Sequence, residues 1–557
     1  MHLFISPQYI KPQIMSRKLL SFKQCALLCF AFCFSINFYS QTIQEKGYTI
    51  NYLDKNIELL FDTPVNLSIH DAFSGEEIPF IVEHDKSNAY LLNYVASGKI
   101  LKLDYGFSGR STAVQSSYVA TQSTSTGAIN VYFNHAVNTS VAQTQNAVNL
   151  SNTLDDMLIT YINNCVSKLD IAIYNSYSPN ATTSIAGAIN AAYDRGVQVR
   201  VIYDGSTSSV MIPLLNPAIP VLASPTSSSY GIMHNKFVVF DANSSDASKP
   251  FVWTGSTNWT TVQIDGPDKN SVIAVQDQSL ALGYTLEFNE MWGSATATPD
   301  LVASKFGPYK LDNTPHTYVI GGKVVNSYFS PTDGANSKII DAINSADSDI
   351  NIATMLITRD DVTTALLDKF NAGLSNINLV IDTQNPSGND ISIIQAGILP
   401  SHAVVYNLAG VMHHKFMVID NFNSASDPQV LVGSHNWSSS AENKNDENIL
   451  IVHDANVANQ YYQAFTYLYQ EVGGLLGNQN VLPADKLVLY PTLTSDYIYL
   501  SNPENITYEY RVYNNLGQLI DANTTNYSID ISNNTKGLYF IALTNDNKTN
   551  TYKVLLK

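Results

Sequence analysis

The sequence predicts an α/β protein: two β-α-β-α-β lobes of one design, packed as a pseudo-dimer, with a small β domain at each end. Three observations predict it. From residue 129, apolar strand-length runs alternate with helix-length amphipathic runs. That whole alternation then occurs a second time. On either side, residues 41–110 and 485–557 alternate apolar and polar positions between turn residues, as antiparallel strands do.

The elements follow in chain order. Residues 1–40 hold Lys11, Arg17, Lys18 and Lys23 with no acid, then the apolar run Cys25–Phe34 and a polar exit. This is the layout of a signal peptide, with cleavage expected after Ser40; the apolar run is about half of what a membrane span needs. Processing would remove three of the four cysteines, leave Cys165 alone, and take the net charge from −17 to −21 as four cations depart. That excludes a disulfide scaffold, and 45% hydrophobic with 14% charged residues excludes a disordered chain. Residues 41–110 read as a small β domain, and 111–128, rich in Ser, Thr and Gln, as a linker.

The first repeat, 129–300, reads as a strand at 131–137, a helix over 151–165, a strand at 169–176, a helix over 185–196 and a strand at 197–204. The second, 301–475, repeats this at 326–331, 336–346, 349–358, 360–373 and 377–383. Strands separated by such helices predict parallel pairing. A more distinctive stretch follows in each copy: GIMHNKFVVFDANSSDASKPFVWTGSTNWT (231–260) matches GVMHHKFMVIDNFNSASDPQVLVGSHNWS (410–438).

Both stretches carry His-x-Lys-x4-Asp followed by Gly-Ser-x-Asn: His234, Lys236, Asp241, Ser256 and Asn258, then His413, Lys415, Asp420, Ser434 and Asn436. On a strand, His234 and Lys236 share one face, as do His413 and Lys415. Asp241 and Asp420 fall on the other parity and are better supporting members of the catalytic set than direct catalysts. Two such sets together would surround one small volume with two imidazoles, two ammonium groups and neutral donors, which suits a phosphate. One histidine would attack phosphorus while the other protonates the leaving oxygen and then deprotonates water or an alcohol. Two lysines supply the positive charge a metal would otherwise bring, so no metal or cofactor is expected.

These residues resemble the phospholipase D superfamily, defined by this doubled His-x-Lys-x4-Asp with its trailing Gly-Ser-x-Asn, over roughly residues 129–475. The resemblance implies one active site on the pseudo-twofold axis and a phosphohistidine intermediate, with His234 as nucleophile and His413 as acid/base. It implies that Lys236, Lys415, Asn258 and Asn436, with Ser256 and Ser434, bind the phosphate. One feature departs from the pattern. A carboxylate is expected about ten residues beyond each motif asparagine, to orient an imidazole; Glu447 stands there in the second copy, but Asn270 in the first, with Asp268 two residues earlier. Glu447 could serve either histidine, and Asp268 could replace the missing carboxylate.

Neighbouring residues have blander readings. His414 and His435 have the wrong parity and read as packing or rim residues; Trp259 and Trp437 read as core anchors, Cys165 as a buried thiol, and the Asp/Asn-rich stretches after each motif as turns without metal.

The segment 487–557, with Tyr490-Pro491, Asn515-Leu516-Gly517-Gln518, Gly537-Leu538-Tyr539 and final lysines, resembles the type IX secretion sorting domain. This implies a partner in the outer-membrane secretion machinery and a secreted or cell-surface destination. The expected function is a metal-independent phospholipase D-type phosphodiesterase acting on a phospholipid, as a monomer, since both halves of the site lie in one chain. Two alternatives stand beside it: a nuclease, because GSTNWT and RGVQVRVIYD also resemble small endonucleases of the superfamily, and a catalytically silent surface binding protein. Net acidity argues against broad attraction to a polyanion.

Overall fold

The computed structural model describes residues 41–557 except 46, 54–55, 84–85, 93–97, 108–113, 177–178, 228, 383–387, 399–400, 475, 477–487, 491–492, 502–505 and 546–547. The signal-peptide expectation lies outside the described residues.

Each repeat builds a mixed sheet of eight strands among the described residues. In the first repeat the order is Val148–Asn149, Ile129–Phe133, Ser271–Val275, Phe251–Gly255, Lys236–Phe240, Lys168–Ile173, Gln198–Tyr203, Val221–Ala223. In the second it is Thr317–Ile320, Lys323–Ser330, Glu447–Val452, Gln429–Gly433, Lys415–Ile419, Ile350–Thr354, Ile377–Asp382, Ala403–Tyr406. Parallel pairing holds where helices intervene: Lys168–Ile173 beside Gln198–Tyr203, and Ile350–Thr354 beside Ile377–Asp382. The motif half is antiparallel: Lys236–Phe240 pairs in this sense with Lys168–Ile173 and with Phe251–Gly255, and Phe251–Gly255 with Ser271–Val275. The expected parallel pairing of helix-separated strands fails for the first strand of each lobe, which pairs antiparallel with the strand after the motif and not with the second strand.

The predicted helices form at Leu154–Asn164, Pro179–Asp194, Ala335–Ser345 and Asp360–Asn371. They cover the outer sheet faces over two apolar cores, one around Leu158, Ile162 and Trp253, the other around Ile339, Ile343 and Leu366. The inner faces meet each other. There a shared core joins the lobes through two aromatic helices, Gln278–Trp292 and Ala455–Glu471. Each starts on an aspartate, Asp277 or Asp454, whose carboxylate accepts a first-turn N–H. The first also stops on Gly293 at φ 78°, the left-handed cap glycine favours. Tyr284 sets its ring edge against Phe237 of one lobe and Phe329 of the other, and Tyr461 against Phe133 and Phe416. Each such buried ring contributes about 2–3 kcal/mol, so the pseudo-dimer is welded by hydrophobic burial.

The N-terminal segment forms a five-stranded and a three-stranded sheet around Ile50, Leu59, Phe61 and Leu103. The supposed linker is not one: Gln115–Ala120 is a strand pairing antiparallel with Ile100–Phe107, and Val119 and Ala120 are buried. Its polar start, Gln115 and Ser116, stays exposed while its apolar end enters the core. The C-terminal segment packs two sheets around Ile498, Val512, Ile541 and Val554.

Candidate active site

The site forms where the two motif strands begin. His234 and Lys236 open the Lys236–Phe240 strand, and His413 and Lys415 open Lys415–Ile419. All four side chains are buried. Each ammonium reaches back two residues, Lys236 Nζ donating to the His234 carbonyl and Lys415 Nζ to that of His413, both at 2.7 Å.

The lobes exchange strands of backbone to complete the site. Met233 bridges Asp446 in parallel and Met412 bridges Lys269. His234 N donates to the Asp446 carbonyl and His413 N to that of Lys269, each at 2.9 Å. One residue further on in each crossing segment lies the group that holds the opposite lobe's imidazole. The His234 Nδ1–H donates to Glu447 Oε2 at 2.8 Å, and that of His413 to Asn270 Oδ1 at 2.9 Å. Glu447 therefore reaches across the axis. Asp268 does not stand in for a carboxylate at His413; its Oδ1 accepts the Val411 N–H at 2.8 Å and braces the segment leading to the motif.

The serines have a different part from the phosphate binding expected of them. Ser256 Oγ donates to Asn270 Oδ1 at 3.0 Å and accepts the Ser271 N–H; Ser434 Oγ donates to Glu447 Oε2 at 2.7 Å and accepts the Asn448 N–H. Each hydroxyl is spent on steadying the residue that holds the imidazole. The preceding glycines make this approach possible. Gly255 and Gly433 sit at φ 154° and 156°, and a Cβ there would lie 2.2 and 2.1 Å from the Ser271 and Asn448 carbonyl oxygens. Asn258 is buried and Asn436 half-buried, and the side-chain Oδ1 of each is buried without a hydrogen-bond partner.

Asp241 and Asp420 are corrected from catalytic candidates to structural anchors. They lie past the far ends of their strands, at φ 50° and 55°. Asp241 Oδ1 accepts the N–H groups of Ser167 at 2.6 Å and Lys168 at 3.1 Å; Asp420 Oδ1 accepts those of Asp347 at 2.8 Å and Ser348 at 2.7 Å. Each carboxylate thus closes the turn between a helix and the next strand. The odd parity of the motif aspartate signals this.

The electrostatics favour an anion. Burial pushes Lys236 down to about 7 against the pull of Glu447 and Asp204, and pushes Lys415 far below its ordinary range with help from Lys236. Burial likewise lowers His234 to about 4 although Glu447 opposes it, and lowers His413 well below 6.5, with Lys415, Lys236, His234 and His414 all pulling the same way. Burial raises Glu447, but His234 and Lys236 outweigh it and hold it below its usual value. A phosphodiester entering here would relieve cation desolvation.

Sequence reasoning missed several supports. Asp204 Oδ1 accepts the Met233 N–H at 2.9 Å and Asp382 Oδ2 the Met412 N–H at 2.6 Å, so the aspartate ending the third strand of each lobe anchors the motif entry. Their recurrence in VIYD and LVID was a readable signal. Tyr174 packs edge-to-face with His234, ring centroids 4.7 Å apart, with Lys236 Nζ 5.0 Å from the tyrosine centroid. His414 is buried, its Nε2 2.7 Å from Nε2 of His135. His435 is buried too, and Trp259 and Trp437 are core residues. Among the described residues, Asp312, His316 and Asp333 form the one group spaced for a metal. The two aspartates, however, face opposite ring nitrogens. Although burial opposes it, they raise His316 to about 9, the behaviour of an ion-paired imidazolium.

With this geometry in hand, the family described as "Cardiolipin synthase, PLD-like domain" matches residues 158–292 and again 339–469. The chain carries a PLD-like domain of the phospholipase D superfamily in two repeats. Its superfamily relatives include the "Mitochondrial cardiolipin hydrolase" of Chlamydomonas reinhardtii, 30% identical over 152 residues, covering 27% of this chain and 64% of that protein. The "Phospholipase D" of Rickettsia bellii is 23% identical over 162 residues, covering 28% of this chain and 77% of that one. The chain thus spans less than two thirds of that cardiolipin hydrolase. Among solved structures, the phosphatidylserine synthase of Haemophilus influenzae aligns over 58% of this chain and 85% of its own with a TM-score of 0.43 and 13% identity. Residues 488–557 match a secretion system C-terminal sorting domain, which implies export across the outer membrane to the cell surface or beyond.

Proposed function

We propose that the protein is an exported phosphodiesterase that cleaves a phospholipid phosphodiester through a phosphohistidine, without a metal. The carrying observation is the convergence of two imidazole–ammonium pairs in which each Nδ1–H is tied to an oxygen from the other lobe. That bond fixes the tautomer and leaves both Nε2 atoms for chemistry, one as nucleophile and one as proton carrier. Lys236, Lys415, Asn258 and Asn436 hold the phosphate oxygens in this reading. The names of the cardiolipin hydrolase and phospholipase D relatives favour a lipid. So does the state of the segment that resembles endonucleases: Arg200 is buried in a two-pronged pair with Asp170 at 2.7 Å, so it offers no charge to a polyanion. A signal peptide and the sorting domain would carry the enzyme out of the cell.

The test incubates mature protein, with and without EDTA, with phosphatidylcholine plus ethanol and separately with plasmid DNA. Phosphatidylethanol formed in the presence of EDTA is the expected result. Nicked DNA without lipid turnover overturns the lipid assignment, and loss of activity in EDTA overturns the metal-free mechanism.

A further inference from the structure

The two imidazole cradles have the same shape and different charge. Glu447 Oε2 receives the His234 Nδ1–H and the Ser434 hydroxyl; Asn270 Oδ1 receives the His413 Nδ1–H and the Ser256 hydroxyl. Nothing in the second cradle requires an amide, for Asn270 Nδ2 is buried without a hydrogen-bond partner. A carboxylate there would make the same two bonds.

The surroundings of His413 do not make up the missing charge. Lys415 faces it from its own strand, His414 adjoins it, and Lys236 and His234 face it from the other lobe. The nearby carboxylates are engaged elsewhere: Glu447 on His234, Asp268 on the Val411 N–H, Asp382 on the Met412 N–H. The His413 imidazolium therefore meets cations and neutral dipoles, whereas the His234 imidazolium meets a carboxylate.

We propose that Asn270 is a positioning residue that makes His413 the stronger acid of the pair, so that His413 is the proton donor and the reaction runs on the acid side of neutrality. This rests on the phosphodiesterase reading above and sharpens it. In the first step the His234 Nε2 lone pair bonds to phosphorus, the bond from phosphorus to the leaving oxygen breaks, and that oxygen takes the proton from His413 Nε2. His234, phosphorylated at Nε2 and protonated at Nδ1, is then a cation for the lifetime of the intermediate, and Glu447 neutralises it. In the second step water or an alcohol gives its proton to His413 as its oxygen bonds to phosphorus and the phosphorus–nitrogen bond breaks, restoring both rings. The carboxylate stands where positive charge persists and the amide where it is given away, which matches each group to its task. The cost is a proton lost from free His413 at unusually low pH.

The experiment is a pair of pH profiles with a titration that needs no turnover. As the stronger acid, His413 sets the acid limb of kcat/KM and His234 the alkaline limb. Asn270→Asp is expected to move the acid limb for phosphatidylcholine vesicles upward by about 1–2 pH units, to raise the plateau of kcat/KM as more of the enzyme holds the His413 proton with His234 neutral, and to raise the His413 pKa by a similar amount in histidine-labelled protein followed by NMR. Glu447→Gln is expected to lower the alkaline limb and leave the acid limb in place. An unmoved acid limb in an active Asn270→Asp protein overturns the proposal, and an acid limb that moves with no rise in the plateau would make His413 the nucleophile. Should Asn270→Asp not fold, an acid limb that moves in Glu447→Gln overturns it equally. A raised His413 pKa without cleavage of any phosphodiester would sink the enzymatic reading and leave the role of Asn270 in proton affinity standing.

Discussion

The two halves of the site share a backbone and differ in what surrounds it. His234 lies between Glu447 and the Tyr174 ring; His413 lies against Asn270, and Lys415 has Met355 Sδ 4.0 Å away where Lys236 has an aromatic face. Away from the site the same divergence recurs: the buried Arg200–Asp170 pair of the first sheet stands where the second has Asn378 bonded to Asn351. Duplication preserved the turns, glycines and anchoring aspartates that place the reacting atoms, while the charges were free to diverge. Geometry here is a property of both lobes together, and electrostatics a property of each.

Substitutions can break or sharpen that comparison. The largest effect is expected from His234→Ala, which removes the nucleophile and lowers kcat by about 10⁴-fold or more. His413→Ala lowers turnover of phosphatidylcholine by about 10³-fold but the first-turnover release of p-nitrophenolate from a p-nitrophenyl phosphodiester by under about 10-fold, since that leaving group departs without a proton and only the second step still calls on His413. Equal losses on both substrates would erase the division of labour. Asp241→Ala and Asp420→Ala test the part that stayed symmetric. Each strands several backbone N–H groups and is expected to cost about 3 kcal/mol of stability, read by chemical denaturation, with kcat per folded molecule falling far less than in Lys236→Ala. The smallest effect, about 2- to 5-fold in kcat/KM, is expected from Tyr174→Met, which removes one aromatic face and its contact with Lys236. A larger loss would mean that the ring also positions His234.

The pairing of His234 with Lys236, and of His413 with Lys415, was legible from strand parity, and so was the exclusion of the motif aspartates from direct chemistry. The helices covering each sheet were legible from their apolar spacing. Ser256 and Ser434 were misread because parity says which face a hydroxyl occupies and nothing about the strand beside it. That neighbour holds Asn270 or Glu447, and it takes up the hydroxyl completely. The linker expectation failed for the same kind of reason. Polar composition at 115–120 is compatible with an edge strand whose partner, Ile100–Phe107, is already in place.

What the chain determined by itself was the inventory and its spacing: two histidines, two lysines and two Gly-Ser-x-Asn turns on a repeated α/β frame, because these follow from local periodicity and side-chain chemistry. Tertiary structure alone decided that Glu447 serves His234 and Asn270 serves His413. The crossing bridges that impose it, Met233 to Asp446 and Met412 to Lys269, join residues far apart in the chain. Only the packing of one lobe's inner face on the other's brings them within hydrogen-bond reach.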